Sequence, residues 1–219
     1  MVSVKSSKEA FLGMGGRIDE ERIITGEDAS GYVVDGQYLF MGKWAFEKIR
    51  RRNPKLHVDI GGDIQMLNYL SCIVPVEHRD IRECCSSGAG YKFIKDDITG
   101  LHIKDNSVDS LSCLHVAEHI GLGRYGDSID PEGHRKAFRE LYRVLAPGGR
   151  LYFAVPTGRD KVVFNAHRTM APHTILDVFK GLSLIGCGFV ASSGHYYPDC
   201  NIETMSGDDY GCGMFEFMK

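Results

Sequence analysis

Asp59 sits inside the apolar run "LHVDI" and is followed at once by Ile60, Gly61 and Gly62. A second carboxylate, Asp80, closes the run "VEHRD" 21 positions later. A glycine pair lets the backbone turn tightly and approach a ligand with no Cβ in the way. An ionised carboxylate is acceptor-only with two oxygens, so Asp80 could hold a vicinal diol such as a ribose. The spacing is close to the roughly 20 residues at which nucleotide-binding α/β folds place such an acid. The competing use of Asp80 is an ion pair with Arg79 or Arg82. The turn is not a dinucleotide fingerprint: "GGDIQM" does not supply G-x-G-x-x-G, which argues against a nicotinamide-dependent oxidoreductase.

Further polar residues stand where apolar runs end: Asp96-Asp97-Ile98, His115 to His119, and Pro156-Thr157-Gly158. In an open sheet of parallel strands, ligands bind beyond the carboxyl ends of the strands, so these tips are the places to read. Glycine-rich "GLGRYGDSIDPEG" follows, with Arg124, Tyr125 and Asp127 on it, and suits a mobile loop that closes a site. Arg124 and Arg168 could each fork onto a phosphate or carboxylate, and Tyr125 could stack on a ring-shaped acceptor. The plainer fates are exposed ion pairs for the arginines and an anchoring role for the ring.

Short apolar runs alternating with helical segments must position these tips. "LHVDI", "VEHRD", "YKFIKDD", "SVDSLSCLHVAEH", "RLYFAVP", "GFVASSGH" and "GMFEFMK" read as seven strands. "DIQMLNYLSCI" reads as a short helix burying Met66, Leu67, Leu70 and Ile73, stopped by Pro75. "DPEGHRKAFRELYRVLAPGG" is the clearest helix. Asp130 is its expected cap, Pro131 its first residue, and Phe138, Leu141, Tyr142 and Leu145 its apolar stripe. "PHTILDVFKGL" is a further helix beginning at Pro172. The first 55 residues fit the alternation poorly; "GKWAFEKIRRR" is amphipathic and helical, so residues 1–55 are expected to form a helical extension or lid on a domain spanning 56–219.

With 219 residues and 43% hydrophobic content, one core of ordinary size is expected. A net charge of −3 gives no general electrostatic reason to bind nucleic acid or an anionic membrane, and a small-molecule partner is expected instead. No apolar run reaches the roughly 20 residues needed to cross a bilayer, and no signal-peptide core is present, which leads us to expect a cytoplasmic protein. The seven cysteines are scattered without C-x-x-C, so reduced thiols and no metal site are expected, with Cys84 and Cys85 the pair to watch.

In order and spacing, strand-Asp59-Ile60-Gly61-Gly62, Asp80, "KDDITGLHIKDNSVDSL", "LHVAEHI" and "RELYRVLAPGGRLYFAVP" resemble the class I S-adenosylmethionine-dependent methyltransferases over about residues 56–219. "GLGRYGD" and "FNAHR" resemble, more narrowly, a domain family of unknown function found in bacteria and nematodes, some of whose bacterial members are associated with cell-surface polysaccharide genes. The resemblance implies a Rossmann-like, seven-stranded, mostly parallel sheet with helices on both faces and an antiparallel last strand. It implies S-adenosylmethionine as cofactor and S-adenosylhomocysteine as product. Asp59, Gly61 and Gly62 would face the methionine part, Asp80 the ribose, and Asp97 and the backbone of Ile98 the adenine. His115 would line the same pocket. Many relatives carry glycine where Asp63 stands; we expect Asp63 to turn away and cap the next helix. Methyl transfer to a hydroxyl needs alignment and a base, for which His119, His167 and Asp127 are the candidates. His119 could equally serve packing, and Asp96-Asp97 a turn. The expected activity is transfer to a small acceptor, a sugar or nucleotide-sugar hydroxyl being the first choice; the rival is a non-catalytic binding module of the same fold. The oligomeric state is not legible.

Overall fold

The computed structural model describes residues 35–84, 88–164 and 166–219. Its first helix, α1 (Gly36–Arg52), exists because Met41, Trp44, Ala45 and Ile49 fall on one face and are all buried, while Arg50, Arg51 and Arg52 fill the last turn, where cations suit the helix dipole. β1 (His57–Ile60) is buried at all four positions, as a central parallel strand must be. α2 (Ile64–Ser71), β2 (Val76–Asp80) and β3 (Tyr91–Lys95) follow, then β4 (Val108–Leu114), α3 (Gly133–Val144) and β5 (Leu145–Thr157). Next come β6 (Lys161–Val163), β7 (His167–Thr169), α4 (Pro172–Val178), β8 (Ser183–Val190), β9 (Tyr196–Tyr197) and β10 (Gly211–Met218).

Among the described residues, eight strands form one sheet in the order β3-β2-β1-β4-β5-β10-β8-β9, and β6 and β7 form a separate hairpin. β1 to β5 run parallel, while β10 is inserted antiparallel between β5 and β8. The chain winds outward from β1 to β3 and then returns to place β4 on the other side of β1. The strand order therefore reverses between β1 and β4, where a crevice opens at the carboxyl ends. One apolar cluster joins the sheet to α3 and α4 through Phe138, Leu141, Val144 and Ile175. The other joins the opposite face to α1 and α2 through Trp44, Ile49, Leu67 and Leu70. The result is a mostly parallel α/β sheet covered on both faces, with an antiparallel C-terminal strand. Gly36–Lys219 forms one compact unit that includes α1; residues 1–34 of the expected extension lie outside the described residues.

Several local expectations need correction. The sheet carries an eighth, two-residue edge strand, β9, beyond the seven expected. The sixth principal strand is Ser183–Val190 rather than "GFVASSGH", because Ala191 to Gly194 make a hydrogen-bonded turn and the glycine-containing run before it pairs with β10. α3 starts at Gly133, and Asp130 accepts from the Glu132 backbone and from Lys136 instead of capping the helix. Tyr142 and Ile73 are 40% and 47% exposed, so neither belongs to the buried stripe assigned to it. Among the described residues, Cys187 and Cys200 bring their sulfurs to 3.7 Å, and the expectation for Cys84 and Cys85 falls outside them, since Cys85 is not described. Twelve residues of intervening chain hide that pair from the sequence.

Candidate active site

Beneath the first turn lies a buried polar chain that explains the acid in β1. Asp59 is placed opposite Ser112 of β4 and His78 of β2 by strand register. It is fully buried and accepts from the Ser112 hydroxyl and, at 2.8 Å, from the Gly62 N–H. His57 bridges Ser110 and Ser112 at 2.8 and 2.9 Å, and burial pushes its imidazole down to about 3. Asp59 is thus the anchor that folds the glycine turn down onto the strand. The hollow above is lined by Gly61 and Gly62 of that turn rather than by the Asp59 carboxylate. Burial, first of all, raises its pKa, with the His78 and Ser112 contacts opposing.

Above that anchor opens a cavity of about 630 Å³, within the size range of small-molecule sites. Gly61, Gly62, Asp80, Asp97, Ile98 and His115 all line it, so the tips of β1, β2, β3 and β4 converge. The turn has room for nothing larger than glycine. Gly61 has φ +67°, and a Cβ at Gly62 would fall 2.7 and 2.8 Å from the Asp59 carboxylate oxygens. Asp63 caps α2, accepting from Gln65 N at 2.9 Å, but it also lines the cavity rather than turning away from it.

Asp80 is held from one side. Arg82 gives its backbone N–H and Nε to Oδ1 at 2.7 and 3.0 Å and its Nη2 to Oδ2 at 2.6 Å. Burial pushes the Asp80 carboxyl up, but the Arg82 hydrogen bonds prevail and hold it below the usual range. Asp97, which lines the cavity, accepts from the Thr99 N–H and hydroxyl through one oxygen, both at 2.8 Å. Its neighbour Asp96 is a buried brace, paired with Arg79 at 2.5 Å and with His102 at 2.8 Å. His115 adopts φ +54°, an uncommon backbone state for a residue with a side chain, with its Nε2 3.2 Å from Cys212 Sγ.

His119 also lines the cavity. Its Nδ1 lies 2.7 Å from the Ala166 carbonyl, which can only accept, so that nitrogen carries the proton and Nε2 presents a lone pair. Burial, and the nearby Arg124 cation, keep the ring's pKa below its ordinary value. Glu118 lies fully buried beside it, Oε1 being 3.6 Å from His119 Nε2 and 3.8 Å from His115 Nδ1. Burial pushes its carboxyl up to about 8.

Other candidates are tied up structurally. Asp127 accepts from the backbones of Gly121, Gly123 and Tyr125, at 2.7, 3.2 and 3.1 Å, and so staples the glycine loop. Burial opposes ionisation of Asp127, yet those donors hold its carboxyl low, which makes it a poor base. Arg168 is buried and donates to the carbonyls of Glu118 and Ile120, bracing the segment that follows β4. His167 lies on β7 with its ring 5.4 Å from that of Tyr210 and is not part of the cavity wall. Arg124 donates to the Ala166 carbonyl at 2.9 Å and also stands outside the wall, but Tyr125 is in it. The Tyr125 ring has Arg82 and Arg124 at 4.9 and 5.1 Å and meets His119 edge-on at 5.2 Å. Sequence reasoning missed Tyr38 and Met41 of α1, which also wall the cavity; the signal available was the amphipathic stripe of that helix.

A family described as Caenorhabditis protein of unknown function, DUF268, matches residues 96–196. No protein of curated function matches the chain in sequence. Among solved structures, the Burkholderia thailandensis 1,6-didemethyltoxoflavin-N1-methyltransferase, bound to 1,6-didemethyltoxoflavin and S-adenosylhomocysteine, superposes with a TM-score of 0.60. Its identity is 12%, over 82% of this chain and 78% of that one. The N-methyltransferase NodS from Bradyrhizobium japonicum WM9, in complex with S-adenosylhomocysteine, gives 0.58 at 13% identity, over 84% and 88%. The [4+2]-cyclase SpnF gives 0.60 at 14%, over 97% and 92%. The fold is that of the class I S-adenosylmethionine-dependent methyltransferases.

Proposed function

We propose that this chain, built on that fold, is an S-adenosylmethionine-dependent methyltransferase acting on a small acceptor, with a sugar or nucleotide-sugar hydroxyl as the acceptor group. The observation that carries the reading is the convergence of Gly61-Gly62, Asp80, Asp97-Ile98 and His115 on one cavity at the strand-order reversal. The donor and acceptor set fits an adenosyl ligand. Asp80 supplies acceptors for ribose hydroxyls, Asp97 for an exocyclic amine, and the Ile98 N–H suits a ring nitrogen. The glycine turn, with no space for a Cβ, lets backbone rather than side chain meet the methionine end. When bound, the cofactor supplies an electrophilic methyl on a sulfonium.

The protein's own contribution is alignment and proton removal. His119 is the base this reading favours: it walls the cavity, its Nδ1 proton is committed to Ala166, and its lowered pKa keeps Nε2 unprotonated at neutral pH. Tyr125 beside it is placed to border the acceptor. The similarity to a [4+2]-cyclase favours keeping one other reading, a module of this fold that binds the cofactor or another ligand without transferring a methyl group.

Calorimetry tests the cofactor assignment. S-adenosylhomocysteine is expected to bind with a Kd at or below ~100 µM. Asp80→Ala should weaken it by at least about 30-fold, the loss of charge-assisted hydrogen bonds worth ~2 kcal/mol. Tight binding of NAD in its place would overturn the assignment. Asp63→Ala should lower stability by about 1 kcal/mol through loss of the α2 cap, read as a Tm drop of ~2–4 °C, and leave cofactor affinity alone. Much tighter binding by that variant would mean the Asp63 charge faces the cofactor.

A further inference from the structure

Asp80 can grip a diol only with free acceptor positions, and Arg82 now fills most of them. Each carboxylate oxygen offers about two such positions. Oδ1 already takes the Arg82 backbone N–H and Nε, and Oδ2 takes Nη2. The backbone contact can persist when a ligand binds, but the two guanidinium contacts occupy the places a ribose needs. Both side chains line the cavity, but that of Asp80 is 9% exposed and that of Arg82 is 55% exposed, at the solvent side. Arg82 also has a second contact that it can keep. Its guanidinium carbon is 4.9 Å from the Tyr125 ring, and Arg124 stands 5.1 Å from the same ring. Such an aromatic face holds a cation without needing a carboxylate.

Resting on the proposed cofactor reading, we propose that Arg82 exchanges partners. Its guanidinium holds Asp80, yields that carboxylate to the cofactor's ribose and, keeping its place over Tyr125, becomes a binding residue for an anionic group on the acceptor. The released guanidinium, beside that of Arg124, gives the mouth two planar forks suited to a phosphate or a carboxylate. Cofactor and acceptor thereby favour each other's binding, and the site loads cofactor first.

The variant Arg82→Gln tests this, because the side chain is mostly exposed and its loss should leave the thermal transition nearly unchanged. Calorimetry with S-adenosylhomocysteine, adenosine and adenine separates the latch from a general widening of the cavity. The first two carry the diol and should bind Arg82→Gln about 3- to 10-fold tighter than wild type, while adenine should bind both proteins alike. Equal or weaker S-adenosylhomocysteine binding by the variant, or parallel gains for adenosine and adenine, overturns the latch. In a second arm, pyrophosphate and succinate are titrated into wild type and variant with and without saturating S-adenosylhomocysteine. At least one anion should bind wild type ~5-fold tighter when the cofactor product is present, and the variant should show no such coupling. Pyrophosphate responding alone indicates a phosphate-bearing acceptor, succinate alone a carboxylate-bearing one, and no coupling for either removes the partner exchange. Failure of S-adenosylhomocysteine to bind either protein removes the cofactor reading and the latch together; binding without a gain in the variant removes the latch alone.

Discussion

Gly62→Ala is expected to weaken S-adenosylhomocysteine binding by at least about 100-fold and to destabilise the fold by ~2–3 kcal/mol. The reason is local. The new methyl would lie 2.7 and 2.8 Å from the two oxygens of Asp59, well inside contact distance. Asp59 cannot move aside, since it is fully buried and held by the Ser112 hydroxyl and the Gly62 N–H. The turn itself must therefore lift, and lifting it carries Gly61 and Gly62 into the cavity they line. A double-mutant cycle separates this steric account from a general intolerance of the turn. Asp59→Ala alone should cost ~2–3 kcal/mol by leaving Ser112 and the Gly62 N–H without their acceptor in a dry site. The pair Asp59→Ala with Gly62→Ala should cost clearly less than the sum, by about 1–2 kcal/mol, because removing the carboxylate makes room for the methyl. Additive losses in urea denaturation would mean that the clash with Asp59 is not what requires glycine.

The cycle turns on a division of labour that the sequence conveyed only partly. Strand tips were legible because alternation of apolar runs with helices is a strong local signal, and β1 to β5 carry it. The same signal placed Asp80, Asp97 and His115 at the ends of adjacent parallel strands, where the fold brings them to one cavity. Asp59 was harder. Its position at a strand end is common to a residue that points into the crevice and to one that points down between strands, and only the register opposite Ser112 and His78 separates the two. Asp127 and Arg168 illustrate a related point: sequence shows a charge but not which backbone groups hold it, and Asp127 is held in this way while lining the cavity. Asp127 spends itself on three N–H groups and Arg168 on two carbonyls, contacts that have no signature in side-chain pattern. Local propensity also misled at β8, where the turn at Ala191 to Gly194 sets the strand end and the expected run straddled it. α1 was recognised as an amphipathic helix, but not as a wall of the cavity, because which sheet face it covers is a tertiary fact.

Glu118 offers the other large effect, and its sign is opposite to that of most substitutions. The carboxyl is fully buried, its Oε2 has no hydrogen-bond partner among the described residues, and its pKa is pushed up to about 8 from an ordinary 4.5. The folded protein therefore binds a proton that the unfolded chain releases across the interval from about 4.5 to about 8. Stability from this group is fully present below the lower value and is lost as pH rises through the upper one. Glu118→Gln keeps the shape and removes the titration, so the difference between variant and wild type cancels every other ionisable group. That difference should be near zero at pH 4, grow through neutrality, and level off above pH 8 with the variant more stable by a few kcal/mol, ~3.5 pKa units at 1.36 kcal/mol each being the upper bound. Chemical denaturation at pH 4, 6, 7 and 8.5 reads it directly. A constant offset across that range would show that Glu118 keeps one protonation state throughout. A variant that loses stability most at pH 8.5 would show instead that the ionised form is stabilised in the fold, with the flanking His119 as a charged partner.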